Sequence, residues 1–403
     1  MMFILSLFIL CPLLSYGGQF HCSQDSAIVS LKRPTYDFSV RILDRVSQET
    51  GGHFVFSPIS TWLQLMTLAE GAKGPTADEL WKITRYHRMK CFRRKYREIL
   101  NLMHEELLPM SKRSSTIVVN KLLDVKKTFT NEVIKSKETK VLSLDFDDQA
   151  GSAAKVNDII KTNMDGVIKE GLYQDDFNLT VLLLADTAYF RSDWQAPFNP
   201  VYTSIETFYS EENEPTGDVK LMTQIGYFNV TDVSLYVNAR ILELPFSPEG
   251  RVMSMLILLP KVGSVKDMYY KLKDIRLMTI YSLFKRAGPT LVSVKLPRFK
   301  ITTNLVNIPE LIYDMGVKRV FYPNLADLSG ISDHTTHASV MTQIADIEIT
   351  EKGANASSMA EFLISNPYPK EEFVANRPFA YLIVDKKTDI ILFAGMYSNP
   401  SIY

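Results

Sequence analysis

Residues Glu351 to Arg377 read EKGANASSMAEFLISNPYPKEEFVANR and lie between two stretches that suit β-strands. Upstream, Ile344, Ile347 and Ile349 belong to a short apolar run; downstream, Phe379 to Asp385 and Ile390 to Tyr397 are dense in residues that fill buried strands. The span between them reads as a connection. One longer than about 15 residues is uncommon in a compact domain unless it is functional or disordered. Within it Ala354, Ala356, Ser358, Ala360, Phe362 and Ile364 alternate with Asn355, Ser357, Met359, Glu361, Leu363 and Ser365, a small or apolar set against a mostly polar one. A period of two is a strand's period. The segment is therefore read as a loop fit to enter a sheet, chance alternation being the alternative.

The 403 residues contain no Gly/Ser linker, charge block, internal repeat or low-complexity stretch, so a single domain over residues 19–403 is the simpler organisation. Lys plus Arg and Asp plus Glu number 45 each. That balance calls for neither nucleic acid nor a membrane surface. Residues 1–18, MMFILSLFILCPLLSYGG, have an apolar core from Phe3 to Leu14 followed by Ser15, Gly17 and Gly18, the layout of a secretory signal peptide. The run is shorter than the roughly 20 apolar residues that span a membrane, and the chain is expected to be secreted and extracellular. Loss of Cys11 with the leader leaves Cys22 and Cys91, for which a disulfide and two separate thiols are both open. On secretion, Asn178-Leu-Thr180, Asn229-Val-Thr231 and Asn355-Ala-Ser357 become glycosylation candidates.

Phe38, Ile42, Leu43 and Val46 predict a helix over Asp37 to Gln48. Ser57-Pro58 supplies a cap and first-turn proline for the next helix, and Thr76 with Glu79 has the capping-box spacing for a third. From Arg85 to Arg97 the chain is strongly basic. As a helix it places Lys90, Arg94 and Arg97 on one face flanked by Arg93, with Arg88 just ahead; a solvated face and a site for a heparin-like polyanion are the two readings. Strands are expected over Thr116 to Val125, Val141 to Phe146, Thr180 to Phe190, Arg240 to Phe246, Val252 to Pro260 and Val292 to Ile301, with a helix over Ser152 to Ile168. Strands and helices do not alternate regularly, which favours an α+β fold with several sheets. The sequence carries no phosphate loop, nucleophile elbow, HExxH or paired CxxC, so no catalytic residue, metal site or cofactor is expected; His334 and His337 read as part of a surface turn.

Several stretches together resemble the serpin family of serine protease inhibitors. They are Phe54-Val55-Phe56-Ser57-Pro58-Ile59-Ser60, Tyr189-Phe190 with Trp194 and Phe198, and Ala326-Asp327-Leu328-Ser329-Gly330. The strongest is Phe373-Val374-Ala375-Asn376-Arg377-Pro378-Phe379 with Leu392-Phe393-Ala394-Gly395 and Asn399-Pro400. The resemblance implies three sheets with surrounding helices, an exposed reactive loop at about residues 351–377, and suicide-substrate inhibition of a serine protease by loop cleavage and insertion. It further implies a monomer that is not an enzyme. Glu351, Gly353, Ala354, Ala356, Ser357 and Ser358 fall at the family's hinge, and counting from Gly353 and back from Pro378 places the reactive bond at Pro367-Tyr368. Proline on both sides of Tyr368 speaks against a trypsin-like target. Ser57, Ser60, Asp186 and Gln343 fall at the shutter under the insertion point, where the family usually has Asn for Asp186 and His for Gln343; Asp and Gln can still bond to one another. In the helix after Asn157, Met164 and Val167 replace the pattern's Thr and Lys. The alternative reading is a non-inhibitory binding protein of the same fold, a carrier or polyanion-binding factor.

Overall fold

The almost continuously apolar run Leu182–Phe190 and the run Ala338–Ile349 are the middle strands of a sheet covered on both faces, which is what their composition demands. The computed structural model describes residues 22–85, 87–247, 251–352 and 369–403. Its helices are α1 (Gln24–Glu49), α2 (Pro58–Gly71), α3 (Gly74–Thr84), α4 (Lys90–Leu107), α5 (Lys127–Val133), α6 (Gln149–Asn163), α7 (Ser234–Val237), α8 (Met268–Leu272), α9 (Leu277–Ala287) and α10 (Ile308–Tyr313). The strands are β1 (Phe54–Phe56), β2 (Ser111–Asn120), β3 (Thr139–Leu144), β4 (Leu182–Phe190), β5 (Ser204–Tyr209), β6 (Pro215–Asp232) and β7 (Ala239–Pro245). They continue with β8 (Met253–Pro260), β9 (Thr290–Pro297), β10 (Phe299–Leu305), β11 (Ala338–Ile349), β12 (Glu371–Val374), β13 (Phe379–Asp385) and β14 (Ile390–Tyr397).

Among the described residues the strands form a five-stranded sheet, β10-β11-β4-β2-β3, and a nine-stranded path, β1-β14-β13-β8-β7-β6-β9-β12 with β5 beside β6. The 18-residue β6 makes that path two sheets: its first part pairs with β5 and β9, and its last residues, Asn229 to Asp232, pair with β7. The fold is α+β with three sheets, two of which share the long strand β6. A single apolar core runs through the interior, and a smaller cluster packs α6 on the five-stranded sheet through Val156, Ile160 and Met164.

Local sequence signals were displaced where tertiary partners competed for the same groups. Helix α1 begins at Gln24, 13 residues before Asp37, and keeps Pro34 inside it. The buried stripe is extended by Ala27 and Leu31, and Ser23 caps the start through a reciprocal pair with Ser26. These offset the helix-interior cost of proline. Ser57 occupies the N-cap position of α2 without capping it, because its hydroxyl donates to the carbonyl of Leu392 at 2.7 Å. Nor does the Thr76–Glu79 box form: Thr76 lies inside α3 and accepts from the amide of Asp327, while Glu79 accepts from Lys318 and Arg319. The expected strand Val292 to Ile301 is two strands in different sheets, broken at Pro297, which has no N–H to donate, and Arg298, whose amide turns to Lys220.

Candidate functional site

β4 and β11 run parallel, in one register from Val340 opposite Leu183 to Ile347 opposite Phe190 with a one-residue shift between Ala338 and Val340, while their outer neighbours β2 and β10 are antiparallel to them. The seam is closed along its length. At its upper end the indole of Trp194 stacks on Phe246 at 4.6 Å and donates to Thr350 O at 2.7 Å; the amides of Trp194 and Phe198 bond to Lys352 O and Glu351 O. Glu351 is buried, with Thr203 donating to its Oε1 at 3.0 Å and Arg298 at 3.5 Å from Oε2. Of the hinge set, Glu351 is therefore anchored. Gly353, Ala354, Ala356, Ser357 and Ser358, the bond Pro367-Tyr368 and the sequon residue Asn355 lie outside the described residues. Downstream the connection is shorter than expected, because Glu371–Val374 forms β12, paired parallel to β9.

Under the seam Asp186 and Gln343 face each other in register, yet their side chains do not bond to one another. Gln343 turns to α2: its Oε1 accepts from the amide of Ser57 at 2.7 Å, and its Nε2 donates to Ser57 O at 2.9 Å and Thr61 Oγ1 at 3.2 Å. Asp186, 0% exposed, is taken by Arg113 of β2, whose Nη2 donates to Oδ2 at 2.5 Å. Arg113 also donates through Nε to Ser60 Oγ at 2.7 Å and through Nη1 to Glu138, and His104 of α4 stands 3.1 Å from the other oxygen of Glu138. Burial pushes the Asp186 carboxyl up to about 6, with the Arg113 guanidinium acting against that rise. Glu138 and His104 were missed in the sequence because they come from other segments of the chain, and Arg113 because the strand was begun at Thr116. The structure starts it at Ser111, in a polar stretch where Ser111, Ser114 and Ser115 are nonetheless buried.

The basic segment is divided by its partners. Arg93 and Arg97 of α4, each with a side chain 16% exposed, both lie against Glu70 of α2, and Arg97 also pairs with Glu132 at 2.7 Å. The expected face of Lys90, Arg94 and Arg97 is thus reduced: Lys90, Arg94 and, ahead of the helix, Arg88 are exposed, Arg94 beside Glu98 and Arg88 beside Asp78. Cys22 and Cys91 are joined in a disulfide, Cα to Cα 6.3 Å, linking the start of α1 to α4 across 69 residues. Asn178 is exposed; the Asn229 amide nitrogen, to which a glycan would be attached, instead donates at 2.8 Å to the buried Glu243. His337 contacts Ser339, and among the described residues no group of side chains is arranged to hold a metal ion.

The family pattern of serpin, serine protease inhibitor, matches residues 33–400. The chain belongs to the serpin family. Serpin B4 of Homo sapiens is 28% identical over 396 residues, covering 92% of this chain and 100% of that protein. The crystal structure of maspin superposes with a TM-score of 0.81 at 24% identity, over 93% of this chain and 100% of that one. Native protease nexin-1 with heparin gives 0.81 at 23%, over 93% and 100%. Serpins are protease inhibitors rather than enzymes.

Proposed function

We propose that this serpin is a secreted inhibitor of a serine protease of non-tryptic preference, acting as a suicide substrate whose cut loop enters the sheet between β4 and β11. One observation carries the reading. β11 runs parallel to β4 and leads directly into the loop at Thr350 and Glu351. A chain that reverses near Gly353 runs antiparallel to β11 and therefore to β4 as well, so a single entering strand can form antiparallel ladders on both sides. The alternation of residues 354–365 gives that strand a small, apolar set for one face, and the disulfide between Cys22 and Cys91 suits the oxidising route implied by residues 1–18. Incubation with chymotrypsin-like and elastase-like proteases should produce a covalent complex that survives a denaturing gel, while trypsin should yield none. A loop that is cut by every protease with no complex formed would overturn inhibition.

Heparin-like polyanions are a second, weaker reading, supported by the exposed Arg88, Lys90 and Arg94. Neutralising these three should shift elution from a heparin column to lower salt, because exposed charges act through screened long-range attraction. Neutralising Arg93 and Arg97 should leave elution within a small fraction of that shift, since Glu70 and Glu132 already engage them.

A further inference from the structure

Two carboxylates share one guanidinium at the centre of the five-stranded sheet. Arg113 of β2 lies between Asp186 of β4 and Glu138, the residue before β3, both of which are buried. Oδ1 of Asp186 is enclosed and makes no hydrogen bond, and Oε1 of Glu138 faces His104 of α4. The groups presented by the other packed elements are uncharged: Ser57, Ser60 and Thr61 of α2, and Gln343 of β11. Two carboxylates against one guanidinium leave the cluster one negative charge in excess. One proton makes it neutral, and on Asp186 Oδ1 it leaves the bond from Arg113 to Oδ2 intact.

The cluster also fastens the sheet to α2. Gln343 pins β11 there through three neutral hydrogen bonds to Ser57 and Thr61. Arg113, held by Asp186 and Glu138, pins the block β2-β3-β4 there through Ser60. Both sides of the seam thus rest on the first turns of one helix, and separating β4 from β11 requires the block to slide against it.

We propose that this charge-imbalanced cluster is a proton-linked latch: the closed sheet holds one exchangeable proton on Asp186, and parting of β4 from β11 admits water and releases it. The proposal rests on the reading above that this seam is where the sheet opens. The direction follows from burial. Asp186 is raised from the ordinary 3.8 to about 6 in the closed sheet, burial outweighing Arg113. A group raised in the closed form favours that form fully below its ordinary value, and the advantage is lost as pH rises through about 6. Acid therefore holds the seam shut, and neutral pH eases its opening by roughly tenfold between pH 5 and pH 7.5 if opening restores the ordinary carboxylate value.

Hydrogen exchange of the full chain tests this. Backbone protection over residues 182–190 and 338–347, corrected for intrinsic exchange chemistry, should fall roughly tenfold between pH 5 and pH 7.5, while β13 and β14 hold constant. Asp186→Asn should flatten the change, because an amide at that position has no proton to gain or lose in this range. Equal protection of the wild-type seam at both pH values, a parallel fall in β13 and β14, or a pH response that survives Asp186→Asn would each overturn the latch. The wild-type comparison stands even where a variant does not fold. No protease takes part, so failure to trap one leaves this result legible, and a flat exchange profile leaves trapping untouched.

Discussion

Replacement of Arg113 by methionine is expected to destabilise the protein at neutral pH by about 3–5 kcal/mol, the cost of breaking a buried ion pair from one side. Methionine retains the apolar stem but leaves Asp186, 0% exposed, and Glu138 without their shared cation, and Ser60 without its donor. Surface pairs in the same molecule, such as Arg94 with Glu98, contribute at most about 1 kcal/mol. The contrast makes the measurement decisive. Guanidinium unfolding should show a lower midpoint for Arg113→Met, with partial recovery when Asp186→Asn is added, because the second change removes one uncompensated charge. The loss should shrink as pH falls toward about 6, because without Arg113 the Asp186 carboxyl is raised further and takes up its proton at a higher pH than in the wild type. A cost under about 1 kcal/mol, of the size seen for exposed pairs, would show that water reaches the cluster and that it does not fasten the sheet.

Cutting the loop should produce the second large effect, a gain in stability. Entry of the segment from Ala354 to Ile364 into the seam would bury Phe362 and Ile364, at about 1.5–3 kcal/mol each, and add ladder hydrogen bonds of about 1 kcal/mol net. The total is on the order of 10 kcal/mol. In a domain of this size it corresponds to an upward shift of the thermal midpoint on the order of 10 °C. Limited proteolysis followed by calorimetry measures it directly. A cut chain that melts at the temperature of the intact one would mean that the loop stays out of the sheet, and the non-inhibitory reading would then take the place of the inhibitory one.

The apolar runs Leu182–Phe190, Phe379–Asp385 and Ile390–Tyr397 were legible because strands buried on both faces need side chains that suit nothing else. The motifs from Phe54 and from Phe373 were likewise legible, and they carried the family. Where polar side chains would turn was not. Ser57 was read as a helix cap and bonds instead to Leu392, 335 residues away. Arg97 was read as part of an exposed basic face and lies against Glu70 and Glu132. Asp186 was paired with Gln343, its neighbour across the seam, but is held by Arg113, 73 residues earlier.

The alternation after Gly353, the apolar strand runs and the leader-like first 18 residues are properties of neighbouring side chains, and the sequence by itself determined them. Hydrophobic burial needs only a face and a period, and both can be read along the chain. The closed parallel seam and the Arg113–Asp186–Glu138 cluster beneath it were decided by the tertiary structure alone. A buried charge is tolerable only beside its counter-charge, and which residues stand within 3 Å is settled by how distant segments pack.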